Sequence, residues 1–187
     1  MKDFLMLIIF PSKTFEKIDA KKLDNISLYL IFTIITALFT LPKFITDSIN
    51  GAEKLESLPI QFVTILLIYF PFVYGSGYCF WQVSKGFKGT SSFGEMKNLM
   101  VYFTVPYALK AFLSISFALA GIIKNNATII TNENYLTNFI LWFLCFRILI
   151  VGIAKYNKFN WTITIITWAI VTSILGGLAF LLQHLKR

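Results

Sequence analysis

Nine carboxylates, one histidine and two cysteines are the side chains of this sequence that could support acid–base, nucleophilic or metal chemistry. Asp3, Glu16, Asp19, Asp24, Asp47, Glu53, Glu56, Glu95 and Glu133 all fall outside the long apolar runs. Proton- and cation-coupled transport places an ionisable carboxylate at membrane depth, and carboxylate-bridged metal sites need the same. The spacing supplies neither. His184 stands near the C-terminal end beside Gln183 and Lys186, with no Ser or Cys partner at depth, and no H-E-x-x-H zinc motif occurs. Cys79 and Cys145 lie inside apolar runs with no histidine near either, which reads as two small buried hydrophobes. No enzyme, metal or cofactor is therefore expected.

The remaining candidates are cations and glycines. Lys110 and Arg147 fall inside apolar runs, where each must find backbone carbonyls, water, a lipid phosphate or a partner's acid. Arg147 lies about eight residues, roughly 12 Å of helix, from the nearer end of its run, part of which a long side chain can cross by snorkelling. With Lys85 and Lys88 of the adjoining basic loop, these two are the candidate contacts to lipid headgroups or a membrane partner. Gly86 and Gly89 in KGFKGT lack the G-x-x-x-x-G-K-[ST] spacing of a phosphate cradle and read as turn glycines. Ser173, Gly176 and Gly177, and likewise Gly75 and Gly77, carry the small-residue spacing that lets helices approach closely, within one bundle or in a homo-oligomer.

The elements that position these residues are long apolar helices. Of 187 residues, 57% are hydrophobic and 14% charged, and the mean hydropathy is +0.71. A soluble core of this size cannot hide so much apolar surface, so the chain is read as an integral membrane protein. Five stretches approach the roughly 20 apolar residues needed to cross about 30 Å of hydrocarbon: about 26–45, 60–84, 99–123, 136–154 and 161–183. Between them lie 46–59, 85–98, 124–135 and 155–160, which hold 12 of the chain's 26 charged residues. The expected fold is all-α, a polytopic bundle of five transmembrane helices at 26–187 with N-terminal helices at 1–25. No repeat or long linker divides the bundle.

The N-terminal run FLMLIIF is too short to span and lacks a cleavage site. Pro11 breaks it, and Ser12 is expected to cap a second short helix carrying Phe15 and Ile18 with Lys13, Lys17 and Lys21 around them. Residues 1–23 are read as an element lying in the cytoplasmic interface; packing beneath the bundle is the competing reading. Placing the N-terminus inside collects ten basic residues on the cytoplasmic side against five opposite. That asymmetry predicts a cell-membrane protein with a cytoplasmic N-terminus and an extracytoplasmic C-terminus. The net charge of +8 flanks apolar runs instead of forming an aromatic-interleaved patch, so nucleic acid is not the expected partner. Membrane lipids, a membrane-protein partner or a second copy are. The Lys-, Asn-, Ile- and Phe-rich composition suggests an AT-rich, bacterial genome.

Two segments carry a resemblance: IIFPSKTFEKI at 8–18 and KGFKGTSSFGEMKNLMVYFTVPYAL at 85–109. With five spans in fewer than 200 residues, they resemble the bacterial branch of the Yip family, five-span membrane proteins whose eukaryotic members are named for interaction with Rab-type GTPases. The resemblance implies a fold and a membrane location, and little chemistry. The function it leaves is a non-enzymatic scaffold or accessory factor organising lipid or a partner complex; a small transporter or permease-like component is the alternative. Independently of family, Ser92-Phe93-Gly94-Glu95 has the capping-box pattern, which predicts a helix starting at Phe93 and perturbed near Pro106.

Overall fold

Among the described residues, a helix of eleven residues packs between two long ones. In a computed structural model that describes residues 2–15, 34, 57–107, 110 and 135–184, the helices are α1 (Lys2–Ile9), α2 (Ser57–Gly86), α3 (Phe93–Phe103), α4 (Tyr135–Asn157) and α5 (Trp161–His184). No strand occurs among the described residues. α3 packs against α2 on one side and α4 on the other, while α5 leans on both and α1 docks on α4. Met96, Leu99, Met100, Val101 and Tyr102 of α3 are all buried. A helix enclosed on so many sides is stabilised by packing, not by an amphipathic stripe.

Local chemistry sets the bounds of α3. The Ser92 hydroxyl accepts the Glu95 N–H at 3.2 Å, and Glu95 accepts the Ser92 N–H at 2.6 Å, the reciprocal pairing expected of the capping box. The break at the other end falls at Thr104, two residues before Pro106. Its N–H and its hydroxyl both turn to the Val101 carbonyl, at 3.1 and 2.7 Å, tightening the last turn. Pro106 lacks an N–H and crowds the carbonyl four residues back, so the ladder is interrupted ahead of the ring.

The expected second, fourth and fifth spans are helices here, each within three residues of its predicted ends. α2 has 30 residues, about 45 Å of helix, which exceeds the hydrocarbon thickness. Among the described residues, Asn138–Asn157 and Trp161–Leu181 are long and apolar enough to cross a membrane. α3 begins at Phe93, where the capping box predicts a helix start, six residues ahead of the expected third span. The expected first span, apart from helical Ile34, and residues 108, 109 and 111–123 of the third lie outside the described residues.

The N-terminal element differs in one detail from expectation. Ser12 does not cap the second helical stretch. Residues 11–15 are helical with Pro11 at the first position, and the Phe10 carbonyl accepts the Thr14 N–H at 3.1 Å. Proline is preorganised for that position, where its missing N–H has no partner to lose. Leu7, Pro11, Thr14 and Phe15 are buried, while Ile9 and Phe10 are about half exposed with the Lys13 ammonium 5.9 Å from the Phe10 ring. One face therefore docks on the bundle and the other presents apolar and basic groups outward.

Candidate functional site

Four helix ends meet at one rim of the bundle: α2 and α4 end there, and α3 and α5 begin. α2 and α4 stop in the same way. The Gly89 N–H reaches the Ser84 carbonyl at 2.8 Å, and Lys88 N–H reaches Lys85 at 2.9 Å. One loop over, Phe159 N–H reaches Ala154 at 3.0 Å, and Lys158 N–H reaches Lys155 at 3.3 Å. Both are Schellman endings, in which the residue after the cap turns left-handed. That residue is normally glycine, but here it is lysine twice, Lys88 at φ 63° and Lys158 at φ 57°. Each turn thus carries a Lys-x-x-Lys pair, Lys85 with Lys88 and Lys155 with Lys158, at a helix end whose carbonyls favour cations.

The two turns are bonded to each other. Asn157 is 2% exposed. Its carbonyl oxygen accepts the Ser91 N–H at 3.3 Å, and its amide donates to the Ile153 carbonyl at 3.0 Å. The Thr90 hydroxyl donates to the Tyr156 carbonyl at 2.9 Å, and the Lys85 ammonium to the Gly89 carbonyl at 3.2 Å. Gly89 is required for space and not for an unusual φ. A Cβ there would stand 2.8 Å from the Ser84 carbonyl oxygen and 2.9 Å from the Phe159 ring, with Asn157 closer still. Gly86 and Gly89 do sit at the turn, as expected, while its left-handed position belongs to Lys88. Beside the joint, Ser12, Val151, Ala154, Lys155, Phe159 and Trp161 line an open cleft of about 330 Å³.

The other sequence-predicted residues are dispersed. Lys85 and Lys88 are both exposed at the rim. Lys110 is half-buried and donates to the Asn138 side-chain oxygen at 2.6 Å, so its ammonium has a partner inside the chain, level with the opposite end of α4. Arg147 is exposed midway along α4. Gly77 is buried, and a Cβ there would fall 2.9 Å from the Lys97 Cα and 3.1 Å from its nitrogen, so α2 and α3 touch backbone to backbone. Gly75, Gly176 and Gly177 have nothing within 4 Å of a built Cβ, and Ser173 is exposed with them. Lys155, Lys158 and Asn157 were missed, although the paired Lys-x-x-Lys spacing in KGFKG and KYNKF was there to be read. Gly152, on which the Leu99 side chain closes, was missed as well.

The aromatic run of α2 serves packing. Tyr74, Tyr78 and Trp81, one helical face by spacing, place their ring centroids 6.3, 6.2 and 6.1 Å from Phe93, the first residue of α3. Comparing two glycines of this helix tests the close contact. Gly77→Ala should lower the thermal midpoint in detergent, at a cost of about 1–3 kcal/mol for overpacking. Gly75→Ala, in open space, should leave it level or raise it, since alanine is the better helix former. Equal midpoints would mean that α2 and α3 do not meet backbone to backbone.

Among the described residues the chain is helical, Asn138–Asn157 and Trp161–Leu181 are long and apolar enough to cross a membrane, and the turns after α2 and α4 are bonded to each other at one rim, the build expected of a membrane protein. The Yip1 domain matches residues 5–182, nearly the whole chain, and the protein belongs to the Yip1 domain family. No curated protein and no solved structure matches it.

Proposed function

We propose that this protein is a five-span, non-enzymatic scaffold of the cell membrane, with a cytoplasmic N-terminus and an extracytoplasmic C-terminus. It organises lipid or a membrane partner. The observation that carries the reading is where the polar groups are used. Ser76 bonds the Phe72 carbonyl of its own helix, Tyr69 donates to Thr104 between α2 and α3, and Asn157, Thr90 and Ser91 lash two turns together. The Ser76 bond stays within its helix, and the others tie neighbouring helices and turns to one another. The cleft beside Lys155 and Trp161 opens at the rim, whereas a solute path needs polar groups converging near the bilayer midplane. The rim lysines face the cytoplasmic leaflet in this orientation, where anionic headgroups attract them.

Reporter fusions test the topology. A fusion after Arg187 is expected to report the extracytoplasmic side, and one inserted at 87–92 the cytoplasm. A cytoplasmic C-terminus would overturn the span count and the orientation together. Liposomes carrying the protein are expected to show no pH-driven solute uptake; uptake abolished by a substitution within a span would replace the scaffold with a transporter.

A further inference from the structure

Arg147 stands ten residues from one end of the apolar segment Asn138–Asn157 and nine from the other, about 14–15 Å of helix in either direction. It is exposed, and among the described residues no hydrogen bond or ion pair engages its guanidinium. The residues above it on the same face, Leu136, Ile140 and Phe143, are 64%, 49% and 53% exposed. Spaced four, three and four apart with Arg147, they form a straight seam along α4. Toward the rim the seam ends, because Ile150 and Ile153 turn into the core. The outward face of α4 is thus an apolar helix surface with one uncompensated cation near its middle.

We propose that this seam docks a transmembrane helix of a different protein, one that carries a carboxylate at mid-depth opposite Arg147. The inference rests on the reading of α4 as a membrane span. Charge complementarity selects the occupant. A second copy of this chain brings a second Arg147 and no acid, since none of its nine carboxylates lies in an apolar run. A lipid phosphate stands at the interface, and the side chain crosses only part of about 14 Å. A carboxylate from a partner helix meets the guanidinium in its own plane through two parallel hydrogen bonds. In hydrocarbon each group relieves the cost of leaving the other unpaired. The apolar residues of the seam supply packing along the rest of the contact.

The full-length protein is reconstituted in phosphatidylcholine vesicles with a labelled Leu/Ala model transmembrane peptide bearing Glu, Gln or Leu at its centre. Energy transfer reads the association. The Glu peptide is expected to bind about tenfold more tightly than the Leu peptide, with Gln between them. Arg147→Leu should reduce the Glu peptide to the Leu level, and Arg147→Lys should keep part of the preference as a point charge. Equal binding of Glu and Leu peptides overturns the proposal, as does a Glu preference that survives Arg147→Leu. Self-association lost in Arg147→Leu would assign the face to a second copy. Anionic lipid that co-purifies with the protein before reconstitution and is lost in Arg147→Leu, without a Glu preference, would assign it to a headgroup; either result overturns the partner-helix reading. The span itself is checked separately: a thiol introduced as Ile140→Cys, in a chain lacking Cys79 and Cys145, should resist aqueous reagents from both sides. Its labelling would defeat the membrane reading of α4 and not the pairing chemistry.

Discussion

Phe15→Ala is expected to release the N-terminal segment from the bundle while α2–α5 remain folded. Phe15 is fully buried, with its ring edge-on to Tyr102 of α3 at 6.0 Å and to Tyr156 of α4 at 5.6 Å. Truncating a buried phenylalanine costs about 3–5 kcal/mol, and each aromatic pairing adds about 0.5–1.5 kcal/mol beyond area alone. Few other buried anchors hold the segment: Leu7, Pro11 and Thr14 form the rest of its described docking face. The loss therefore appears as local opening and not as global unfolding. Amide exchange across residues 2–15 should accelerate by several orders of magnitude, with α3 and α4 little changed; Phe15→Leu should fall between. Unaltered protection of 2–15 in Phe15→Ala would mean that lipid, not the bundle, holds this segment. The same variant separates the two sequence readings of the N-terminus, because an element held purely by the interface gains nothing from Tyr102 and Tyr156.

How far the sequence reached can be judged from these residues. The start of α3 was legible because a capping box is local: Ser92 and Glu95 are three residues apart, and the side chain of each bonds the backbone N–H of the other. The long helices were legible because twenty apolar residues have few other uses. Phe15 was marked only as apolar, since its partners lie 87 and 141 residues away. Lys110 was seen as a cation needing a partner, yet Asn138 is separated from it by 28 residues, with a predicted loop between. Gly89 reads as a turn glycine and does close a turn, but the reason it must be glycine was not legible. Glycine in a basic loop suggests backbone freedom, whereas the structure uses it as an empty place for Asn157 and Phe159. Arg147 was assigned a depth but not a face; nine of the ten residues flanking it are apolar, which leaves the periodicity of α4 nearly silent about which side points out.

Gly89→Ala is expected to be the most damaging one-carbon change at the rim. The added methyl would overlap the Ser84 carbonyl of α2, which is helix backbone and cannot step aside as a side chain can, and the buried Asn157 oxygen. Overpacking costs about 1–3 kcal/mol. Moving the loop away from the Asn157 oxygen strands the Ser91 N–H, adding about 1–3 kcal/mol for a buried donor without an acceptor. Asn157→Ala alone strands that same N–H but leaves the Schellman bond from Gly89 to Ser84 intact, so it should cost the smaller amount. The double variant should therefore cost less than the sum, since both changes break one shared bond while the Ser84 overlap persists in it. Thermal midpoints of the four proteins in one detergent measure the cycle. Full additivity would mean that the two turns do not act as one joint, and a silent Gly89→Ala would mean that Gly89 is not packed against α4. A joint that behaves as a unit holds Lys85, Lys88, Lys155 and Lys158 on a common base. Loosening it should weaken binding to vesicles containing phosphatidylserine more than replacing any single one of those lysines by glutamine, because it disorders all four charges together.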